Sequence, residues 1–167
     1  MIIWMVLFIL SIALLLGAIL LIVLNRPIDR ISIKESIDLC NLPVITFKNG
    51  NNKFNFLLDT GADSNHMGNK VLKTLEYKDT DYVLETTGFT GDTENNRIKV
   101  AVFEYKNRKF EVTFSASAGL DKSFEFVKKS TGVTIHGILG SAFLKEYRYI
   151  LDFDKLEVYT RKRWRKK

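Results

Sequence analysis

Hydrophobic and polar positions divide the chain into one long apolar run and a set of short alternating segments. Residues 1–24 contain no charged side chain. A helix of that length would span about 36 Å, which is enough to cross the roughly 30 Å hydrocarbon core of a bilayer. The run lacks the basic start and the small-residue end of a cleaved signal peptide. The pattern therefore predicts one transmembrane helix over residues 1–24.

The remaining chain divides into a polar tether, a domain rich in strands and a basic tail. Residues 25–40 are charged and contain Pro27, which is typical of a juxtamembrane linker. Two alternating runs, 42–48 and 53–58, flank an Asn-Gly pair, and this arrangement predicts a β-hairpin. Further strand-like runs cover residues 81–86, 97–105, 109–116, 149–153 and 156–160, whereas only 68–75 and 141–147 have short helical patterns. We expect a mainly β domain over residues 41–160.

The basic tail, residues 161–167, accounts for the net charge of +6. It holds six of the 25 basic residues, so the rest of the chain carries 19 residues of each sign. A basic segment near a membrane anchor is attracted to anionic headgroups, at about 1 kcal/mol per basic residue. Membrane contact and a fully solvated tail both stay open, and no nucleic acid partner is expected.

Metal and cofactor chemistry has little support in the sequence. Cys40 is the only cysteine, so neither a disulfide framework nor a lipoprotein attachment site is expected. His66 and His136 are isolated from each other, and surface or loop positions are expected for them. The chain has no Gly-rich phosphate loop and no zinc-ligand spacing. We therefore expect no cofactor and no metal site.

One short motif carries candidate chemistry. Asp59-Thr60-Gly61-Ala62 directly follows the apolar strand 54–58, so the strand would deliver a carboxylate to the mouth of a tight turn. Gly61 would supply the backbone freedom that such a turn needs. Because Asp, Thr and Gly are also common turn formers after a strand, the motif alone is compatible with a plain turn.

A second motif, in the last third of the chain, strengthens the first. Gly137-Ile138-Leu139-Gly140 is followed by the helical pattern of 141–147 and the strand-like run 149–153. In this order, the two motifs resemble those of the retropepsin-like aspartic proteases, over about residues 41–160. In that family an apolar strand ending in Asp-Thr/Ser-Gly-Ala forms the active-site loop, and an apolar-apolar-Gly strand crosses behind it.

The resemblance implies a single-lobe acid protease fold with a flap hairpin and one short C-terminal helix. It implies that Asp59 is the catalytic residue and that its active-site loop is formed by Thr60, Gly61 and Ala62. The structural second-half motif would consist of Ile138, Leu139 and Gly140. The flap would cover about residues 86–96, with a mobile tip at Gly88, Phe89, Thr90 and Gly91.

The chain departs from the retroviral pattern at one ion pair. Retroviral members often follow the second-half glycine with an arginine that pairs with the aspartate at the position of Asp63. Here Ser141 occupies the arginine position. The pair that stabilises the dimer therefore lacks its usual arginine, and Arg148 is the candidate substitute.

Aspartic protease chemistry uses two carboxylates that share one proton. This chain contains only one Asp-Thr/Ser-Gly motif, so the resemblance implies a homodimer in which two copies of Asp59 cleave an extended peptide. Asp152 and Asp154 lack the Thr-Gly turn and are expected at a strand end and a hairpin. Two alternatives stay open: a catalytically silent module that binds a peptide or protein in the same groove, and a membrane adaptor.

Charges next to the apolar run predict its orientation. Arg26, Arg30 and Lys34 follow the run, whereas no basic side chain precedes it. The positive-inside rule then places the N-terminus outside and the domain in the cytoplasm. We expect a single-pass membrane protein with a cytoplasmic catalytic domain.

Overall fold

An N-terminal helix and a β-rich domain make up the structure, a computed structural model that describes residues 2–24, 28–87 and 93–160. Helix α1 (Ile2–Leu24) has 23 residues and no buried side chain. It is long and apolar enough to cross a membrane. Because none of its side chains is buried against the domain, the whole apolar surface of α1 is available to lipid.

After α1, the described part of the chain contains ten strands and four shorter helical segments. The strands are β1 (Ile28–Ser32), β2 (Val44–Asn49), β3 (Asn52–Leu58), β4 (His66–Gly68), β5 (Tyr77–Thr87), β6 (Thr93–Tyr105), β7 (Arg108–Ser117), β8 (Gly137–Leu139), β9 (Ile150–Asp152) and β10 (Glu157–Thr160). The helices are α2 (Lys34–Cys40), α3 (Ala118–Thr131) and α4 (Ser141–Tyr147), and a 3-10 helix covers Asn69–Lys73.

Seven strands form one sheet, in the order β2-β3-β8-β4-β7-β6-β5. β2 also pairs with β6 at Lys48 and Glu104, and this pairing closes the sheet into a barrel. A separate antiparallel sheet has the order β1-β10-β9. The predicted fold class, a mainly β domain with one short helix near its C-terminal end, is confirmed.

Phenylalanine rings fill much of the barrel interior. Phe47 and Phe110 stack with their centroids 5.0 Å apart, and Phe56 meets Phe103 edge-on at 4.9 Å. None of these four rings is more than 1% exposed. Because side chains alternate between the two faces of a strand, this packing fixes which residues of β3 point inward and which point outward.

The segment predicted as a juxtamembrane linker is folded from residue 28 onward. β1 pairs with β10, and α2 follows β1 almost directly. Ile31 and Ile33 are 4% and 1% exposed and belong to the core. The linker prediction is therefore wrong for residues 28–40. The apolar residues of this segment are too few to show the period of a strand or a helix. β10, the partner of β1, lies at the other end of the domain.

Helix α3 is an element that the sequence analysis missed. The Ser117 hydroxyl caps its first turn by accepting a backbone N–H at 3.1 Å. Gly132 ends it with φ of 78°, a left-handed conformation that glycine adopts readily. The spacing of Leu120, Phe124 and Val127 follows the helical period. The helix was therefore readable in the sequence, but the stronger strand pattern at 109–116 precedes it.

Several shorter elements agree with their predictions. β2 and β3 form the predicted hairpin, and α4 covers the predicted helical pattern at 141–147. The arms of the predicted flap are β5 and β6, which pair out to Thr87 with Thr93. The flap tip, Gly88, Phe89, Thr90 and Gly91, and the basic tail, 161–167, lie outside the described residues.

Candidate active site

Asp59 lies at the carboxyl end of β3, where the two sequence motifs meet. β3 runs parallel to β8, with Leu58 beside Leu139. The Asp59 N–H donates to the Leu139 carbonyl at 3.1 Å and so continues the strand pairing by one residue. The second motif therefore fixes the backbone of Asp59 just before the chain turns.

The turn after Asp59 is built around its own carboxylate. The Gly61 N–H donates to Asp59 Oδ1 at 2.8 Å, and the Ala62 N–H donates to the Asp59 carbonyl at 3.3 Å. Gly61 does not have a positive φ, so the expected need for unusual backbone freedom is not what selects glycine here. A Cβ on Gly61 would lie 3.2 Å from Asp59 Oδ1. Glycine thus leaves room for the side chain of Asp59, which is partly exposed, and Thr60 is exposed.

Gly140 brings the second motif against the active-site loop. A Cβ at Gly140 would lie 2.7 Å from the Ala62 carbonyl oxygen and would collide with the Ser64 carbonyl oxygen. Directly after this contact, the Ser141 N–H donates to the Ala62 carbonyl at 2.8 Å. Only glycine allows the two backbones to approach this closely.

A buried asparagine that the sequence analysis did not identify braces this approach. Asn65 is 7% exposed. Its Oδ1 accepts the Gly140 N–H and its Nδ2 donates to the Thr113 carbonyl, both at 3.0 Å. One side-chain amide therefore joins the loop to the end of β8 and to β7. In the sequence it is only a polar residue after a loop motif, since both of its partners are remote.

Asp63, whose usual arginine partner is absent from the sequence, has a local partner instead. The Ser64 hydroxyl donates to Asp63 Oδ1 at 2.8 Å. Ser141, in the arginine position, donates its hydroxyl to the Asp63 backbone carbonyl at 3.3 Å. Within the described ranges no cation, Arg148 included, forms an ion pair with Asp63. Within one copy of the chain, Arg148 therefore does not take the place of the missing arginine.

His66 extends this network from the loop to β7. Its Nε2 lies 3.1 Å from the Ser64 hydroxyl and its Nδ1 lies 2.8 Å from the Ser115 hydroxyl. Burial lowers the pKa of His66 from its ordinary 6.5, against the attraction of the Asp63 carboxylate. The ring favours its neutral form, in which one nitrogen donates and the other accepts. His66 is thus a half-buried strand residue, not the surface or loop residue that was expected.

His136 is half-buried as well. Its Nδ1 accepts the Asn55 N–H at 2.9 Å, while the His136 N–H donates to the Asn55 carbonyl at 2.8 Å. Burial also lowers the pKa of His136. No group of three or more metal-binding side chains occurs among the residues that the structure describes.

Strand register shows which side chains share a face with Asp59. Leu58 and Leu139 point into the core and are 3% and 0% exposed. Their neighbours Leu57 and Ile138 are paired with each other and point the opposite way, to the side of Asp59. His66 pairs with Ile138 and joins them. We call this side of the sheet the Asp59 face.

The Asp59 face continues across the sheet to one arm of the predicted flap. The connecting pairs are His66 with Ser115, Thr113 with Val100, and Asn96 with Leu84. By this register Leu84, which is 52% exposed, lies on the Asp59 face, whereas Val83, which is 55% exposed, lies on the opposite face. Within the described residues, β5 pairs only with β6, and β6 pairs with β7 only from Lys99 onward. The outer part of this hairpin therefore projects past the sheet.

Helix α3 covers another part of the Asp59 face. Phe124 packs with Val44 and Ile135 in a second apolar cluster, and Leu57 and Ile138 contact that cluster. Leu57 lies two residues before Asp59 on the same face, so α3 covers this face up to the residues that precede the carboxylate. This cover was not expected from the sequence, because the helix was not identified there.

Comparisons with known proteins place these motifs in a family. Residues 44–143 match the family model described as aspartyl protease. None of the curated proteins matches the chain. Among solved structures, the EIAV protease in complex with the inhibitor HBY-793 is 19% identical, with a TM-score of 0.45, over 62% of this chain and 86% of that chain. A foamy viral protease-reverse transcriptase in complex with an RNA/DNA hybrid is 16% identical, with a TM-score of 0.43, over 64% of this chain and 12% of that chain.

The family match spans more than half of the chain. It includes the strand that ends in Asp59, the turn after it, and the second motif that ends in Gly140. The family named from the sequence motifs is thereby confirmed, and the chain belongs to the aspartyl protease family.

Proposed function

We propose that the chain is an aspartic endopeptidase in which the Asp59 carboxylates of two copies activate one water molecule. The observation that carries the proposal is the partly exposed Asp59 carboxylate, held at 2.8 Å by the Gly61 N–H at the end of a strand in a family member. The ionised carboxylate takes a proton from water while the protonated one polarises the scissile carbonyl. The water oxygen adds to the carbonyl carbon, and the leaving amine takes up a proton as the C–N bond breaks.

A second copy supplies the second carboxylate, since the chain holds one Asp-Thr-Gly motif. Thr60 and Gly61 are exposed at the tip of the turn. A depression of about 720 Å³ beside Thr60 has Leu144, Ile150 and Leu151 among its lining residues. A twofold axis through the two turns would bring the Asp59 residues together and bury this apolar surface. Thr60 would then join the two loops by hydrogen bonds.

The substrate in this proposal is an extended peptide on the Asp59 face. The β5–β6 hairpin projects past the sheet edge beside this face, and the main chain of an extended peptide can pair with such a hairpin independently of its sequence. α3 limits the groove on the other side. In this proposal the hairpin acts as a flap whose tip is Gly88, Phe89, Thr90 and Gly91. The assignment of the tip rests on the sequence alone.

Asp59→Asn tests the shared pair of carboxylates. The substitution keeps the size of the side chain but removes its titratable group, so the domain should fold and dimerise while cleavage of a peptide library disappears. Mixing equal amounts of mutant and wild-type chains, with free exchange, should leave about one quarter of the dimers fully active. Asp152→Asn is the matched control, because Asp152 ends β9 and bonds Lys155 at 2.9 Å. Residual cleavage by purified Asp59→Asn, or activity that only follows the wild-type fraction, would contradict the mechanism.

The alternatives make different predictions for an inhibitor that mimics the tetrahedral intermediate. An assembled pair of carboxylates should bind it, and Asp59→Asn should abolish binding. A silent peptide-binding module on the same fold would bind uncleaved peptide with or without Asp59, and a membrane adaptor would bind neither compound. Titration of wild type and mutant with both compounds therefore separates the three functions.

The membrane arrangement belongs to the same proposal: α1 spans the bilayer, residues 28–160 form the folded domain, and this domain faces the cytoplasm. Cys40 is a poor reporter of orientation, because it is half-buried and its thiol donates to the Ser36 carbonyl at 3.0 Å. The exposed Asn51 is a better one. Asn51→Cys in a Cys40→Ser chain should react with an impermeant thiol reagent only after the cells are permeabilised, and reaction in intact cells would reverse the orientation.

A further inference from the structure

The two ends of the folded domain lie next to each other and close to the turn of residues 59–62, which the proposed function makes the catalytic turn. β1 and β10 are the first and last strands, and Ile28 pairs with Thr160. Thr160 and Thr60 line the same depression of about 720 Å³. The point where the chain enters the domain from α1, the point where it leaves, and the turn that follows Asp59 therefore share one end of the molecule.

Chain geometry limits how far this end can be from the membrane. Four residue steps separate Leu24, the end of α1, from Ile28, and they reach at most about 14 Å. A strand pair adds about 5 Å between Ile28 and Thr160. A compact depression of 720 Å³ is about 11 Å across. These three lengths add up to a separation on the order of 30 Å between Thr60 and the last residue of α1.

The charge of the basic tail also favours an orientation in which this end of the domain faces the membrane. Residues 161–167 follow Thr160 directly and carry six basic side chains. They leave the domain beside the entry point of the anchor, so their attraction to anionic headgroups draws this end toward the bilayer. Among the described residues, no member of β5 or β6 lines the depression that Thr60 and Thr160 share, and the outer part of the β5–β6 hairpin pairs only within itself.

We propose that the catalytic turn is held at the membrane-proximal end of the domain, and that the substrates are extended segments of membrane-anchored proteins close to the bilayer surface. This rests on the proposed protease function and names its substrate class. An extended segment reaches about 3.3–3.6 Å per residue, so a cleavage site about ten residues from the bilayer can meet a turn held 30 Å above it. Anchoring enzyme and substrate in one membrane raises their effective concentration, which falls roughly as the −3/2 power of the total flexible length.

A depth measurement tests the orientation without any need for activity. The full chain carrying Cys40→Ser receives one labelled cysteine, at Ala142 or at Glu85, and is placed in nanodiscs with an acceptor dye on the headgroups. Ala142 is exposed beside the catalytic turn, where its N–H donates to the Asp63 carbonyl, and Glu85 is exposed on the outer hairpin. Energy transfer should be stronger from position 142 than from position 85. Equal transfer, or stronger transfer from position 85, would overturn the proposed orientation.

A cleavage measurement tests the substrate class. The best peptide from the library is placed about 10 or about 40 residues from the transmembrane helix of a single-pass substrate, in liposomes that also hold the full chain. The near site should be cut about fivefold faster. Inserting a 20-residue Gly-Ser spacer after Leu24 should reduce this ratio to about 2.5-fold, while the rate on the soluble peptide stays unchanged. Equal rates at both distances, or a ratio that the spacer does not change, would overturn the substrate class. Absence of cleavage even of soluble peptides would contradict the protease function itself, and the depth measurement would still decide the orientation.

Discussion

The turn of residues 59–62 and the β5–β6 hairpin both border the Asp59 face of the sheet but are held in different ways. Around the turn, backbone groups and one buried amide connect the loop after Asp59 to β8 and β7, and Gly140 leaves no space between them. The outer hairpin has only its own two strands, and Tyr82, Val83 and Leu84 on it are more than half exposed. Substitutions at the residues that brace the turn, Gly140 and Asn65, should therefore lower stability, whereas substitutions on the hairpin should change substrate binding alone.

The largest effect on stability is expected from substitution of Gly140. Gly140→Ala places a Cβ against two backbone carbonyls, which cannot move as freely as a side chain, so the free energy of unfolding should fall by about 3 kcal/mol. Gly119→Ala is the matched control, because its Cβ would meet only the Ser117 hydroxyl, at 3.4 Å. Denaturant unfolding should show a change within about 0.5 kcal/mol for the control. Equal stability of the two variants would mean that the loop and the end of β8 are not tightly packed.

A smaller loss of stability is expected from substitution of Asn65. Asn65→Ala leaves the Gly140 N–H and the Thr113 carbonyl without their partner, and the free energy of unfolding should fall by about 2 kcal/mol. Asn52→Ala removes an exposed amide that donates to the Thr74 carbonyl, so it should lower this free energy by less than about 1 kcal/mol. Chemical denaturation of both variants gives the comparison. If Asn65→Ala leaves the free energy of unfolding unchanged, water replaces the hydrogen bonds of this amide without loss of stability.

Acidification should lower the stability of the domain through its two half-buried histidines. Burial lowers the pKa values of His66 and His136 below 6.5 in the folded protein, so the unfolded chain takes up protons first. Stability is therefore fully present above about pH 6.5 and is lost as the pH falls through that value toward the lower folded pKa values. The Tm should drop by about 2–4 °C from pH 7.5 to pH 5.5. The drop in Tm should be smaller in the His66→Gln/His136→Gln double variant. If Tm falls with pH by the same amount in both proteins, the two histidines do not cause the pH dependence.

The smallest effect on the fold is expected on the hairpin. Leu84→Ala should leave the Tm nearly unchanged but raise KM about fivefold, since it removes about 1 kcal/mol of apolar contact with the peptide. Val83→Ala, on the opposite face of the same strand, should change neither quantity. Steady-state kinetics on one library peptide measures both. A KM increase for Val83→Ala alone would reverse the face assignment.

The sequence was most informative where two backbones had to meet. The strand before Asp59 and the apolar pair before Gly140 predicted the active-site turn, because few sequences other than these motifs allow that contact. Asn65 could not be identified in this way, since its partners Thr113 and Gly140 lie far along the chain. β1 was missed for the same reason, as its strand pairing is entirely with residues near the end of the domain. α3 is different, because its helical spacing was readable in the sequence but was not recognised after the strand-like run 109–116.

The pairing of Ile28 with Thr160 also bears on how two domains could be joined. A chain that enters and leaves its domain at neighbouring points can be duplicated head to tail with a short connection and without unpairing a strand. In such a tandem polypeptide the two Asp59 positions would no longer be identical by symmetry. Each could then be substituted separately, and the two lobes could diverge so that one binds substrate more tightly than the other.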